Sequence, residues 1–370
     1  MRVQAAWHRL PLLTAGMFAL LGGTLAGLAR LGWPVPTAAA AQAGNHAALM
    51  ISAFFGALIS LERAVALGRG WAYAGPAAAG LGGIALVAGA PLISGQALAV
   101  VGSAILVAGS GTVLRRQAAP YTLVLAGGAA SWLIGNLLWL LNGHVLRALP
   151  WWLAFLVLTI AGERLELTRF LPVRPHSGGR FLIAVAPLIV GGVTALIAVE
   201  AAMRIFSLGL VLLAAWLFRY DIARHNAGQR GLTRYVAICL LTGYFWLAVG
   251  GLLGVIGGFS PGNVLRDAAL HAVALGFVFA MVFGHAPIIF PSVTRVRIPY
   301  RPLFYLPLAT LNIALACRIA GSLIASALHL RQHGALATAL AILLFILTLA
   351  FSFWRGAGKS TLLPMDGRVP

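Results

Sequence analysis

The stretch NHAALMISAFFGALISLERAVAL (residues 45–67) decides the fold class. It begins with the polar pair Asn45 and His46, continues as an apolar run, and carries its first charges at Glu62 and Arg63. A run of this length suits an α-helix that crosses the roughly 30 Å hydrocarbon core of a bilayer. It lacks the alternation of polar and apolar side chains that marks a strand of a membrane barrel. The stretch therefore predicts a transmembrane helix.

The composition extends this prediction to the whole chain. Of the 370 residues, 61% are hydrophobic and only 9% are charged, and the mean hydropathy is +0.95. A water-soluble protein of this size needs more charge to cover its surface. In lipid every backbone polar group must bond internally, which helices achieve. We predict an all-α polytopic protein, with residues 1–370 forming a single transmembrane domain, no separate soluble domain, and the lipid bilayer as its partner.

About twelve transmembrane helices are expected. The Gly/Ala-rich part of the chain, with Gly80, Gly82, Gly83 and Gly89, should allow close packing of helices. The predicted segments are 11–32, 45–67, 74–94, 96–114, 121–142, 150–170, 180–199, 202–219, 234–257, 266–291, 302–324 and 334–354.

The positive residues predict the orientation. The net charge of +19 resides almost entirely in arginines of short loops, so it favours the positive-inside rule over nucleic-acid binding. With both termini in the cytoplasm, the cytoplasmic side carries roughly four times as many Arg and Lys residues as the outer side. We therefore expect a multi-pass protein of the cell inner (cytoplasmic) membrane. The outer side holds Arg30, Arg147, Arg204, Arg266 and Arg331, and Arg318 lies within a predicted helix.

Two histidines at matched depth suggest a cofactor. His46 opens the second predicted helix, and His271 lies near the outer start of the tenth, so both sit about one turn below the outer surface. We call this pair the outer layer. Two neutral imidazoles that face each other across helices are the ligands of a six-coordinate haem b. The alternative is two unrelated interfacial histidines. Six further histidines are expected in solvated or interfacial positions: His8, His144, His176, His225, His329 and His333.

A second polar set lies at the inner ends of helices two, six and ten. It comprises Glu62, Glu163 and His285, which we call the inner layer. Two carboxylates and an imidazole suit a second metal, such as copper, or a proton-accepting cluster. The alternative is a set of interfacial ion pairs that pin neighbouring helices. His285 also follows His271 by roughly 21 Å along one helix, but a second haem lacks its partner, since Glu62 stands where a histidine would be needed.

The chain resembles the catalytic subunit of haem–copper oxidases. In that family twelve helices form a pseudo-threefold bundle, and the histidine of a His-x3-Met motif in the second helix ligates the low-spin haem. The sequence His46-Ala-Ala-Leu-Met50 matches this motif. The family's partner ligand lies in the tenth helix, as His271 does here. The resemblance thus implies that His46 and His271 are the axial pair of one haem b, with helices two, six and ten central. Arg318 is a candidate partner of a haem propionate, or else an interhelical hydrogen-bonding residue.

The departures from that family are equally informative. Val273 stands where the oxidases have the high-spin haem ligand, and helices six and seven lack the copper-ligating histidines. What remains is similar to the NnrS family of haem-binding membrane proteins linked to nitric oxide stress. The segments His271-Ala-Val-Ala-Leu-Gly276 and Gly284-His285 resemble that family's pattern. The resemblance implies a redox, electron-transfer or nitric oxide role, while the missing ligands leave catalysis open.

Three functions remain as alternatives. The first is a haem b protein of oxidase-like fold, which an electron-transfer protein on the outer face would serve. The second is a proton-coupled secondary transporter that uses the Glu/His inner layer, since twelve helices are a common transporter plan. The third is a non-catalytic subunit of a larger membrane complex. A reduced-minus-oxidised absorption spectrum separates the first from the others.

Overall fold

The computed structural model describes residues 9–172, 174–294, 296 and 298–356, and all regular structure in these ranges is helical. Arg2, Arg295, Arg297, Lys359 and Arg368, which the charge bias predicts on the cytoplasmic side, lie outside the described residues, as do His8 and both chain termini. Twelve long helices follow one another: α1 Leu10–Ala29, α2 Ala48–Leu67, α3 Ala74–Val87, α4 Leu92–Arg116, α5 Pro120–Asn142, α6 Leu149–Leu167, α7 Ser177–Thr194, α8 Val199–Tyr220, α9 Gly231–Val255, α10 Arg266–Thr294, α11 Tyr305–Leu323 and α12 Leu328–Gly356.

Ten of these helices, searched within the described residues, are long and apolar enough to cross a membrane. The chain is therefore a multi-pass membrane protein. The other two predicted spans coincide with α3, which has 14 residues, and with α6, which has 19 residues and carries Glu163, Arg164 and Glu166. The segment predicted over 74–94 ends early because Gly89 adopts a φ of +76° and Pro91 caps the next helix.

Glycines bring the first helices into close contact. A Cβ atom on Gly80 would lie 2.7 Å from the Cβ of Ala15, and one on Gly83 would lie 2.8 Å from the Cβ atoms of Ala19 and Ala53. Gly82 faces α4 in the same way. Small residues permit such approach where lipid provides no hydrophobic drive for helix association. The predicted close packing is confirmed for these three glycines, whereas Gly89 terminates α3.

Three helices lie at the centre of the bundle. In α2 and α10, 67% and 61% of the span is buried inside the protein, more than in any other candidate span. Helix α6 is buried along most of its length. These helices contact one another in pairs, whereas the remaining helices pack mainly against their neighbours in the chain. The centre of the fold therefore consists of α2, α6 and α10.

Both α2 and α10 contain a π-helical segment. In α2 it covers Ala48–Phe55, two residues after His46, and in α10 it covers Ala272–Phe279, directly after His271. A π segment carries i→i+5 hydrogen bonds and is often found at functional sites. Below the histidines, Phe279 packs against Phe54 and Phe55, with ring centroids 6.0 and 5.3 Å apart. The two histidine-bearing helices thus share the same local design.

A buried polar network fixes α2 within the bundle. The Asn136 side chain of α5 accepts hydrogen bonds from Ser52 (2.8 Å) and from the indole of Trp152 (3.0 Å). Its amide group donates to Ser103 and to the carbonyl of Ala99. One fully buried residue therefore joins α2, α4, α5 and α6. Each polar atom in the network gains a partner that lipid could not provide.

Candidate functional site

The structure places the imidazoles of the outer layer, His46 and His271, next to each other. Their ring centroids lie 6.1 Å apart, and the ring planes differ by 26°. His46 extends from the start of α2, and His271 from the first turns of α10. Both residues are half-buried, and the side chain of His271 is 17% exposed. The structure therefore brings together the two residues that the sequence analysis paired.

The hydrogen bonds of the two rings fix their protonation pattern. The Nδ1 atom of His46 lies 2.7 Å from the carbonyl oxygen of Gly23, and that of His271 lies 2.8 Å from the carbonyl oxygen of Asp267. A carbonyl only accepts, so each Nδ1 carries the hydrogen. The Nε2 of His271 must accept, because its neighbour at 3.2 Å is an Arg318 nitrogen that only donates. This is the arrangement in which histidine ligates metals through Nε2.

Helix α1 approaches His46 through glycines. A Cβ atom on Gly27 would lie 2.7 Å from Cε1 and 2.9 Å from Nδ1 of the His46 ring. One turn earlier, a Cβ on Gly23 would lie 2.7 Å from the Met50 sulfur. Only residues without a side chain leave this space, so the glycines of α1 allow its carbonyl to hold the imidazole.

Arg318 of α11 joins the outer layer through Asp267. Its Nε and Nη2 atoms each donate a 2.7 Å hydrogen bond to the Asp267 carboxylate, and Nη2 also contacts His271. Such a two-pronged pair is a strong, geometrically defined interaction. Arg318 therefore adjoins the outer layer, but its main bonds are made to Asp267, and its role as a propionate partner stays a prediction.

Three further arginines surround this centre. They are Arg30, Arg266 and Arg331. The charges of Arg30 and of the previously described Arg318 are close enough to act on His46, the charge of Arg331 acts on Asp267, and the charge of Arg30 acts on Arg266. Arg30 donates to the carbonyl of Ala43 and Arg266 to that of Phe259. Within the described ranges, Arg30, Arg266 and Arg331 make no salt bridge. Four arginines and one carboxylate thus surround the outer layer, which gives an excess of positive charge.

The inner layer is organised by arginines. Arg63 donates to the Glu163 carboxylate in a salt bridge, and an Nη2 of Arg164 lies 3.2 Å from the Nε2 of His285. Glu62 is near enough to Glu163 and Arg63 for their charges to interact. Among the residues that the structure describes, no three His, Cys, Asp or Glu side chains converge as a metal would require. The metal assignment to Glu62, Glu163 and His285 stays a prediction.

Asp267 and Asp221 were not singled out from the sequence. Asp267 stands four residues before His271 and so shares its helix face, and it is one of only seven acidic residues in the chain. Both features were visible in the sequence. Asp221 follows α8 and joins the inner layer through folding alone. The histidines expected to be solvated at positions 144, 176, 225, 329 and 333 are all exposed.

A family model described as a domain of unknown function (DUF8744) matches residues 9–354. No curated protein matches the chain.

Proposed function

We propose that this chain, which belongs to the DUF8744 family, binds one haem b between His46 and His271 and acts in redox chemistry, electron transfer or the response to nitric oxide. The observation that carries the proposal is the facing pair of imidazoles, both with Nδ1–H bonded to a carbonyl. Neutral histidines of this kind are the usual axial ligands of a low-spin haem.

The spacing of the pair supports axial ligation. Ring centres about 6 Å apart leave room for one ion that His46 and His271 would hold through their Nε2 atoms. The centroids of His46 and His271 lie 6.1 Å apart. The Nε2 lone pair of His271 can serve either an iron ion or the contact with Arg318. Ligation of iron would therefore replace this contact, while Arg318 would keep its hydrogen bonds to Asp267.

The positive charge around His46 and His271 also suits haem b. Haem b carries two propionates, and the outer layer has an excess of arginines. Arg30, Arg266 and Arg331 have no carboxylate partner among the described residues, which favours them over Arg318 as the propionate-binding residues. The bound haem would supply one-electron chemistry. The protein would hold its plane, neutralise its carboxylates and restrict access by water.

The proposal includes an oxidase-like plan. Twelve spans with both termini in the cytoplasm, in the cell inner membrane, would place the outer layer close to an electron-transfer protein on the outer face. The central position of α2, α6 and α10, each four helices after the last, supports a pseudo-threefold bundle. The haem would then lie between two of the three central helices.

The test is a dithionite-reduced minus oxidised spectrum of the protein purified from haem-replete cells, with iron analysis. We expect about one haem b per chain, with a low-spin Soret and α band. His46→Ala and His271→Ala should each reduce haem occupancy at least about tenfold. His333→Ala, at an exposed histidine, is the matched control. Folded but colourless wild-type protein would refute the proposal, and copper without iron would assign the pair to another metal.

A further inference from the structure

A cavity of about 210 Å³ lies beside the inner layer, between α2, α4 and α5. Its walls include the side chains of Leu67, Leu106 and Leu125. Gly109 of α4 keeps it open, because a Cβ atom there would lie 3.7 Å from Leu67 and 3.9 Å from the Trp71 ring. Pockets that enclose a whole drug-sized ligand usually measure about 300–1,000 Å³. This cavity therefore suits a segment of a chain rather than a compact molecule.

The polar side chains in the cavity wall mostly have partners within the protein. Ser60 and Thr122 each donate a hydrogen bond to a nearby backbone carbonyl, and Arg63 forms its salt bridge with Glu163. The other hydroxyl among the described lining residues is that of Ser110. Groups that are already paired gain little from a polar ligand. The interior of the cavity therefore favours an apolar occupant.

The cavity opens sideways, toward the lipid. Two of its walls reach the surface, since Val113 is 37% exposed and Ala66 is also exposed. Trp71, which is 46% exposed, lies next to the opening in the turn after α2. Tryptophan is enriched where a membrane meets water. Only 22% of the α4 span is buried inside the protein, so this side of the bundle faces the bilayer.

Three arginines lie at the rim of the cavity. Arg69 follows the end of α2 by two residues, and Arg115 and Arg116 form the end of α4. All three are exposed, and none makes a salt bridge to a described residue. Arg63 differs from them, because Glu163 already balances its charge. The uncompensated positive charge therefore lies at the rim and not inside the cavity.

We propose that this cavity binds one acyl chain of an anionic phospholipid, whose phosphate lies between Arg69, Arg115 and Arg116. The apolar wall fits the chain, and the unpaired arginines fit the negative headgroup. Basic side chains at the cytoplasmic ends of transmembrane helices attract acidic lipids in this way. A neutral lipid would match only the wall, and a soluble phosphate only the rim. The proposal does not depend on haem binding at the outer layer.

Native mass spectrometry of the full-length protein in a neutral detergent tests the headgroup contact. We expect one phosphatidylglycerol to bind at least about tenfold more tightly than phosphatidylcholine, and a rim variant to lose this preference. The control variant neutralises three exposed arginines around the start of α9 and should keep it. The rim variant is Arg69→Gln/Arg115→Gln/Arg116→Gln, and the control variant is Arg224→Gln/Arg230→Gln/Arg234→Gln. Equal binding of the two lipids by the wild type, or equal loss in both variants, would overturn the proposal.

Gly109→Leu tests the cavity itself. The added side chain fills the space between α4 and Leu67, and leucine is a better helix former than glycine. We expect a folded protein that binds phosphatidylglycerol at least about tenfold more weakly. Gly127→Leu is the matched control, since a Cβ atom at Gly127 of α5 meets no atom within 4 Å. Unchanged binding in Gly109→Leu, or displacement of the lipid by inorganic phosphate, would refute a lipid chain in the cavity.

Discussion

The position of His46 depends on an absent side chain in α1. An added methyl group in Gly27→Ala would lie 2.7 Å from the imidazole, well inside the ordinary contact distance. Overpacking of this kind costs about 1–3 kcal/mol or displaces the ring. We expect Gly27→Ala to lower haem occupancy several-fold in the purified protein, as measured by its absorption spectrum.

Gly127→Ala is the control for this substitution. Gly127 lies in the helix α5, and an added Cβ there meets no atom within 4 Å. Because alanine is the better helix former, this variant should keep its haem and be unchanged or slightly more stable. Equal haem occupancy in the two variants would show that the α1 carbonyl does not position His46.

Asn136 is the residue whose loss should cost most in the apolar middle of the bundle. Asn136→Leu keeps the volume but removes the acceptor of the Ser52 hydroxyl and the Trp152 indole, and the donor to Ser103. Unpaired buried groups cost about 1–3 kcal/mol each in water-soluble proteins and less in membranes, so we expect a loss of about 2 kcal/mol. The measurement is thermal or denaturant unfolding in detergent.

Asn142→Leu is the matched comparison for Asn136→Leu. Among the described residues, the Asn142 amide donates only to the carbonyl of Leu138, four residues earlier in its own helix. Its loss should change the free energy of unfolding by less than about 0.5 kcal/mol. A similar effect at both positions would mean that the network contributes no more than an ordinary polar side chain.

The π segments define the site at the level of secondary structure. Each adds a residue to one turn, which rotates the helix beyond it by about 100° relative to an uninterrupted α-helix. Deletion of Ala274 should allow α10 to continue as an α-helix and turn His271 away from His46. We expect a folded protein that has lost haem. Deletion of Gln229, exposed in the loop before α9, is the control and should leave haem binding intact.

The π segments also show what the sequence patterns could not predict. Hydrophobic content and length predicted the helices themselves, since these depend only on the solvent that surrounds the chain. The segments Ala48–Phe55 and Ala272–Phe279 are almost wholly apolar, so a shift from 3.6 residues a turn leaves no mark on their periodicity. The facing of His46 and His271 followed from matched depth. Asp221 reached the inner layer only through packing of distant helices.

The orientation of the whole molecule is open to direct test. The charge bias predicts that the α9–α10 loop lies outside and the end of α6 inside. Val264→Cys and Phe170→Cys place thiols at side chains that are 70% and 67% exposed. With Cys239 and Cys317 replaced by alanine, an impermeant maleimide applied to intact spheroplasts should label only Val264→Cys. The opposite pattern would reverse the topology and exchange the two polar layers.

Different helices hold the rings of His46 and His271 in place. His46 is held by a carbonyl of another helix, α1, whereas His271 is held by its own helix and by Arg318 of α11. A displacement of α1 along its axis therefore moves one ring, and a displacement of α11 acts on the other. The distance between the two imidazole rings therefore depends on the positions of α1 and α11. A ligand held by both rings would fix the positions of α1 and α11 relative to each other. Its loss should therefore increase the mobility of both helices.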